Sequence, residues 1–254
     1  TSFQRDTLVV IPRVLDTNGT PHEGRTKMTL AYALGYKWGG DLGAMEIIDK
    51  VIERNFGAIV DKNVEVDMDA FDACINALKG VEIELNADEA KYLNDFHDRY
   101  YYEMKEGKNW LDGSTALAYV RMRKAEGDGE SDIKRTSRQR IFMEALLDKV
   151  KKLSISDLQN LANEVLPLVT VSMTNSEITD LLMKMLPMLS GLEIKTSGTC
   201  PVRAKGYSWG DMVDIYGDGM IHSVMRFDQD KNVAYMRAIT EGEGEIPETV
   251  PIQE

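Results

Sequence analysis

The order of apolar and polar residues predicts most of the elements of this chain. Residues 7–11, Thr-Leu-Val-Val-Ile, form a β-branched apolar run that reads as a strand, and residues 16–24 are rich in Asp, Asn, Gly and Pro and read as a loop. Residues 42–56 place Met45, Ile48, Val51 and Ile52 on one helical side, with Gly57 positioned to end the helix. A strand over 64–68 follows, then a helix from about Asp69, which is placed to cap it. Residues 81–85, Val-Glu-Ile-Glu-Leu, alternate strictly and predict a half-buried strand. Residues 87–104 carry Tyr92, Phe96, Tyr100, Tyr101 and Tyr102 among charges and read as a helix or an excursion over the core. Residues 118–123, Ala-Tyr-Val-Arg-Met-Arg, alternate again and predict a strand with Tyr119, Arg121 and Arg123 on one face. Ile141, Phe142, Ala145, Leu146, Val150 and Leu153 make a helical stripe, and capping residues precede further helical patterns at 156–161 and 174–182. From Leu192 the period is strand-like, through Ile194, Val202, Val213, Val224 and Phe227.

Strands and helices interleave without a linker or an internal repeat. The expected fold is therefore α/β (α+β): a single domain over residues 1–254 with a central mixed, largely antiparallel sheet flanked by helices on both sides, the strands at 81–85 and 118–123 lying centrally. Residues 241–254, with repeated Glu-Gly, read as a flexible tail. At 254 residues, 43% of them hydrophobic and 28% charged, the chain can bury a sizeable core. It contains no run of eighteen apolar residues and no signal peptide at its start. The two cysteines, Cys74 and Cys200, lack metal-ligand spacing and leave the compartment open.

Charge changes the picture more than composition does. The chain carries a net −12, yet residues 121–140 hold seven Lys/Arg against four Asp/Glu. On the predicted elements, Arg121 and Arg123 share a strand face, and Arg135 and Arg138 stand three apart near a helix start. Arginine forks match phosphate oxygens two at a time, and a helix N-terminus adds free N–H groups, so the convergence suits a phosphate or pyrophosphate. The alternative is a solvated basic face paired with Glu126, Asp128, Glu130 and Asp132. The two differ in consequence. If the arginines are ligands, Arg121→Ala or Arg138→Ala should weaken anion binding by about 1.5–3 kcal/mol per lost charged hydrogen bond and barely change the melting temperature.

Other chemistry is thinly represented. His22, His97 and His222 are scattered, and no Gly-x-Ser-x-Gly elbow, P-loop or dinucleotide fingerprint occurs. Asp67 and Asp69 could pair on a metal, although a capping role for Asp69 is the simpler reading.

The arginine segment also carries a resemblance. Residues 111–123, Leu-Asp-Gly-Ser-Thr-Ala-Leu-Ala-Tyr-Val-Arg-Met-Arg, followed by Asp132-x-x-Arg135-x-x-Arg138-Gln139, resemble the signature of the LytR-CpsA-Psr family of bacterial cell-envelope proteins. Residues 2–7, Ser-Phe-Gln-Arg-Asp-Thr, are similar to the family's Ser-Ile-Pro-Arg-Asp-Thr, and residues 27–32, Lys-Met-Thr-Leu-Ala-Tyr, to its Lys-Ile-Asn-x-Ala-Tyr. The likeness is good over residues 1–153 and looser beyond.

The resemblance implies a phosphotransferase that moves a glycopolymer, of teichoic acid or capsular type, from a polyprenyl pyrophosphate carrier to a peptidoglycan hydroxyl. It implies Arg5, Arg121, Arg123, Arg135 and Arg138 as pyrophosphate ligands and Lys27 and Gln139 as polar support; beside them, Asp6 is placed to orient Arg5 or to take part in acid/base work, and Asp132 to orient the arginines or to cap the helix of Arg135. It also implies Mg2+ (or Mn2+), held by aspartates expected upstream of Thr1, and a membrane anchor expected there too. Such a protein acts on the extracellular face of the cell membrane. A rival reading is a non-catalytic protein that binds polyprenyl phosphate lipids. A nucleic-acid-binding regulator fits poorly, because the sequence pI is about 4.8 and no helix-turn-helix signature or extended basic face is present.

Overall fold

The computed structural model describes residues 1–15, 18–96, 103–123, 132–194 and 198–242. The described residues form two compact units, one built from residues 1–63 together with residues 198–242, the other from residues 64–194.

The first unit opens with β1 (Ser2–Phe3), β2 (Leu8–Leu15) and β3 (Pro21–Lys27), then α1 (Met28–Phe56). The second unit follows with β4 (Val64–Glu65), α2 (Met68–Ala77), β5 (Val81–Leu85), α3 (Ala87–Phe96), β6 (Gly107–Leu111), α4 (Gly113–Arg121), α5 (Asp132–Val150), α6 (Ile155–Val165), β7 (Thr170–Val171) and α7 (Asn175–Met185). The chain then returns to the first unit through β8 (Thr199–Cys200), β9 (Ser208–Val213), β10 (His222–Phe227) and α8 (Gln229–Thr240). The mixed α/β class holds. Among the described residues the strands pair two by two, with β1–β8 parallel and β2–β3, β4–β7, β5–β6 and β9–β10 antiparallel.

In the first unit, Val9 and Ile11 of β2 are buried while Leu8 and Val10 are not, as alternation along a strand requires. The buried face packs on Ala31, Val51 and Phe56 of α1 and on Tyr235 and Met236 of α8. Phe56 is fully buried, stacks on Phe227 at 4.9 Å and tilts against Phe3 at 5.2 Å. Burial of such a ring is worth about 1.5–3 kcal/mol. Cys200 lies in the same core, where burial pushes its thiol up to about 12. One parallel bridge, Thr7 with Met225, and a 3.0 Å bond from the Met225 N–H to the Asp6 carbonyl set β10 beside the start of β2.

Helix α1 begins well before the predicted residues 42–56. Its two halves meet at Gly39 and Gly40, where Gly40 has φ 64, and they pack so closely that a Cβ on Gly35 would lie 2.6 Å from the Gly43 carbonyl oxygen. The helix ends as expected on Gly57, left-handed at φ 70.

In the second unit, β5 shows the predicted alternation, with Val81, Ile83 and Leu85 buried. They form a core with Leu93, Leu111, Ala116, Tyr119, Met122 and Phe142. Asp67, rather than Asp69, caps α2, accepting the Ala70 N–H at 2.7 Å. Helix α7 begins with a full capping box between Thr174 and Glu177. Helix α6 is capped by Ser154, two residues before the predicted start.

One expectation is overturned. Residues 118–123 are not a central strand, because Ala118–Arg121 form the end of α4 and only Met122 and Arg123 leave it. The helix forms because Asp112 accepts both the Thr115 N–H, at 2.8 Å, and the Thr115 hydroxyl, at 2.6 Å. It also buries Thr115, Ala116, Tyr119 and Val120 at helical spacing. Tyr100, Tyr101, Tyr102, His97, Glu126, Asp128, Glu130 and the tail from residue 243 lie outside the described residues.

Candidate functional site

Two of the signature arginines of the second unit, Arg121 and Arg123, line a groove of about 430 Å3 between α2, α3 and α4, and Arg135 and Arg138 do not. It is lined by Asp72, Tyr92, Ser114, Leu117, Ala118, Arg121 and Arg123. Capping explains the placement: Asp112 fixes the start of α4, and nine residues later the helix ends on Arg121. Arg121 Nη1 reaches the Met68 sulfur at 3.0 Å. Arg123 follows two residues on, exposed. The expected sharing of one face by Arg121 and Arg123 is thus met by a helix end and the extended residue after it, not by a strand.

Arg138 is placed differently. It is 4% exposed, with its Nε donating to Glu89 Oε1 at 2.7 Å and its Nη1 donating to the Met122 carbonyl at 3.3 Å. Glu89 is buried too, and its other oxygen accepts the Asn86 N–H at 3.1 Å while the Asn86 side chain accepts the Glu89 N–H at 2.8 Å. This reciprocal pair is a capping box at the start of α3. Tyr119 lies beside it; burial first, and then the Glu89 carboxylate, raises its hydroxyl well above the ordinary value, with Arg138 partly offsetting this. The expectation that Arg138→Ala would spare stability is therefore withdrawn, since its loss leaves a buried carboxylate unpaired.

Gln139 Nε2 donates weakly to the Val120 carbonyl at 3.4 Å, tying α5 to α4. Arg135 is half-buried on α5. Asp132 opens α5, and its side chain lies outside the described part of the structure.

Arg5, Asp6 and Lys27 belong to the first unit. Lys27 Nζ donates to Asp6 Oδ1 at 3.2 Å, and Arg5 Nε lies 3.5 Å from Asp6 Oδ2. Lys27 precedes α1 without capping it through its side chain; instead the Met28 and Thr29 N–H groups donate to the Thr7 and Arg5 carbonyls at 2.9 and 3.0 Å. Lys27 and Arg5 flank one carboxylate and leave a net positive spot there, suited to an anion.

Among the described residues no three His, Cys, Asp or Glu side chains converge. Asp6 is balanced by two cations, and Asp67 is taken up in capping. Glu89 escaped the sequence reading; the available signal was Asn86-x-x-Glu89 directly after the strand at 81–85.

Comparison with known proteins bears on the same residues. The model of the LytR_cpsA_psr family matches residues 1–208. TagT of Bacillus subtilis, named a polyisoprenyl-teichoic acid–peptidoglycan teichoic acid transferase, is 33% identical over 147 residues, which are 58% of this chain and 42% of TagT. TagV of the same organism is 36% identical over 155 residues, 60% of this chain and 35% of TagV. The chain thus matches less than half the length of either relative. Among solved structures, a Streptococcus agalactiae protein aligns with a TM-score of 0.67 and 21% identity over 98% of this chain and 76% of its own. The crystal structure of B. subtilis TagT aligns with a TM-score of 0.57 and 24% identity, over 90% and 72%. These structures support the fold, and with most of its length inside the family match the chain belongs to the LytR_cpsA_psr family.

Proposed function

We propose that this chain is a phosphotransferase of the bacterial cell envelope that moves a glycopolymer from a polyprenyl pyrophosphate carrier onto peptidoglycan. The observation that carries the reading is the groove of the second unit, where Arg121 and Arg123 share a surface with Leu117, Ala118 and Tyr92. A carrier lipid is divided in the same way, an isoprenoid chain joined to a pyrophosphate. Apolar wall and guanidinium pair complement its two parts. TagT and TagV are named for this transfer with teichoic acid, which supports the substrate class.

In the proposed step a peptidoglycan sugar hydroxyl attacks the phosphorus that bears the polymer. A new P–O bond forms, the bond from that phosphorus to the bridging oxygen breaks, and polyprenyl phosphate leaves with the electron pair. The hydroxyl proton passes to a base outside the residues assigned. Arg121 and Arg123 hold the charge that grows on the leaving phosphate, an effect that depends on donors already in position. Arg5 and Lys27, steadied by Asp6, are proposed as phosphate ligands of the first unit. Magnesium or manganese would help neutralise the pyrophosphate, and metal dependence belongs to the proposal. The place of action is the outer face of the cell membrane; no described helix is long and apolar enough to cross one.

A second reading is a carrier-lipid binder without turnover, since the apolar wall and the guanidinium pair of the groove meet the needs of binding alone. The deciding experiment incubates the full-length protein, with and without magnesium, with a polyprenyl-pyrophosphate-linked saccharide and a peptidoglycan fragment. Transfer that falls at least tenfold in Arg121→Ala supports the enzyme. Lipid binding that needs Arg121 but yields no product supports the binder, and lipid binding untouched by Arg121→Ala and Arg123→Ala removes the groove from both readings.

A further inference from the structure

We propose that the first unit carries a second site, for an anionic sugar: a pyranose ring bearing a phosphate or carboxylate. Because Val9, Ile11 and Thr26 are buried, strand alternation puts Leu8, Val10, Arg25 and Lys27 on the opposite face of β2 and β3. A cleft of about 200 Å3 opens there, lined by Leu8, Val10, Arg25, Trp209, Arg226 and Gln229, among others. It is smaller than the roughly 300–1,000 Å3 of drug-sized sites and suits a single ring.

Each part of the lining has a use. Trp209 and Arg226 are direct partners across the β9–β10 ladder, and Trp209 is 48% exposed, so an apolar indole face stands beside a guanidinium. Arg226 Nε lies 2.9 Å from Asp211 Oδ2 as an ion pair, but its N–H is not aligned on the carboxylate and makes no hydrogen bond, so the guanidinium is held by charge alone and is free to turn toward an anion. Arg25 is exposed and has no carboxylate partner among the described residues. The floor is internally satisfied: Asn55 accepts the Val10 N–H at 2.9 Å and donates to the Val10 carbonyl at 2.8 Å. Gln229 Nε2 donates to the Arg54 carbonyl at 2.9 Å, leaving the Gln229 amide oxygen to accept from a sugar hydroxyl. Two arginines recognise an anion, an indole face recognises the C–H face of a sugar, and together they demand both on one molecule. A bare phosphate would leave Trp209, Leu8 and Val10 idle.

The position is informative. Arg25 and Lys27 are two residues apart on one strand face, about 6.6–6.8 Å along the strand, so a phosphate held at Lys27 would leave the next sugar at the cleft. Trp209, Arg226 and Gln229 all lie beyond residue 208, where the family match ends, so the site is not carried by the family likeness. Its biological ligand rests on the proposed function: such a sugar occurs in a phosphate-bearing polymer and in the lactyl amino sugar of peptidoglycan.

The test measures binding by ligand-observed NMR and calorimetry on the intact chain, with glucose 6-phosphate and N-acetylmuramic acid as probes. N-acetylglucosamine and inorganic phosphate serve as controls. At least one probe is expected to bind at least tenfold more tightly than both controls. Trp209→Ala, Arg25→Gln and Arg226→Gln should each weaken it by tenfold or more, with circular dichroism unchanged and polyprenyl-pyrophosphate binding at Arg121 retained. Preference for glucose 6-phosphate assigns the cleft to the polymer, and preference for N-acetylmuramic acid to the acceptor. Phosphate binding as well as either probe, or no probe binding below 10 mM, overturns the site. Because binding at Arg121 is read separately, that result would leave the transferase reading standing.

Discussion

Arg138 and Glu89 are buried together, and burial alters what each can do. Exposed ion pairs contribute about 0–1 kcal/mol, but removing one partner of a buried pair costs about 3–5 kcal/mol, because the other charge is left in a poor solvent. Arg138→Ala is therefore expected to destabilise the chain by about 3–5 kcal/mol in urea titration, whereas Arg138→Met combined with Glu89→Leu should restore most of that loss. A stable Arg138→Ala protein with impaired lipid binding would return Arg138 to the anion site. At this scale the sequence was legible where chemistry is local: Arg121 and Arg123 line one groove as the alternation suggested, although what brings them together is the chain leaving the helix at Met122 between them. It was not legible where a partner is remote, since Glu89 lies 49 residues from Arg138 and only the packing of α3 against α5 reveals the pair.

Helix α4 shows how a cap outweighs a short alternating pattern. Residues 118–123 suit a strand as well as a helix end, because Tyr119, Arg121 and Arg123 recur at two and the buried set 115, 116, 119 and 120 recurs at three and four. Asp112 breaks the tie by satisfying Thr115 twice. Asp112→Ala should cost about 0.5–2 kcal/mol and, by fraying the helix that carries Arg121, weaken carrier-lipid binding more than its distance from the groove suggests. Asp112→Asn should recover most of both. Unfolding and lipid titration on the three proteins decide it, and equal lipid affinity in all three would uncouple the cap from the groove. The first half of α1 was hidden for a related reason: it carries glycines at 35, 39, 40 and 43, which weaken a helical pattern, yet Gly35 and Gly43 let the helix halves approach and Gly40 turns the chain at positive φ.

Over the whole molecule, charge is the property that local reading captures best and that structure then divides. The acidic excess of −12 is spread over the chain, while the cationic groups assigned to anions are drawn from both compact units, Arg121 and Arg123 from one and Arg5, Lys27, Arg25 and Arg226 from the other. The partition into units was not legible, because the chain leaves the first unit near residue 63 and returns near 196 without any linker composition to mark the change. Dispersed like charge repels itself in the compact state, and salt screens it over about 8–10 Å at physiological strength. The exposed pair Lys108–Glu82 loses strength under the same screening and the half-buried pair Lys27–Asp6 loses less, but an exposed pair contributes at most about 1 kcal/mol, and the buried Arg138–Glu89 pair is largely shielded from it. Relief of repulsion should prevail, so raising sodium chloride from about 20 to 500 mM is expected to raise the melting temperature by about 2–4 °C, the shift that about 1 kcal/mol produces in a chain of this size. The same salt should weaken binding of a pyrophosphate lipid, because that binding rests on a few exposed guanidinium groups. A melting temperature that falls with salt would mean that surface pairs, not net charge, govern stability.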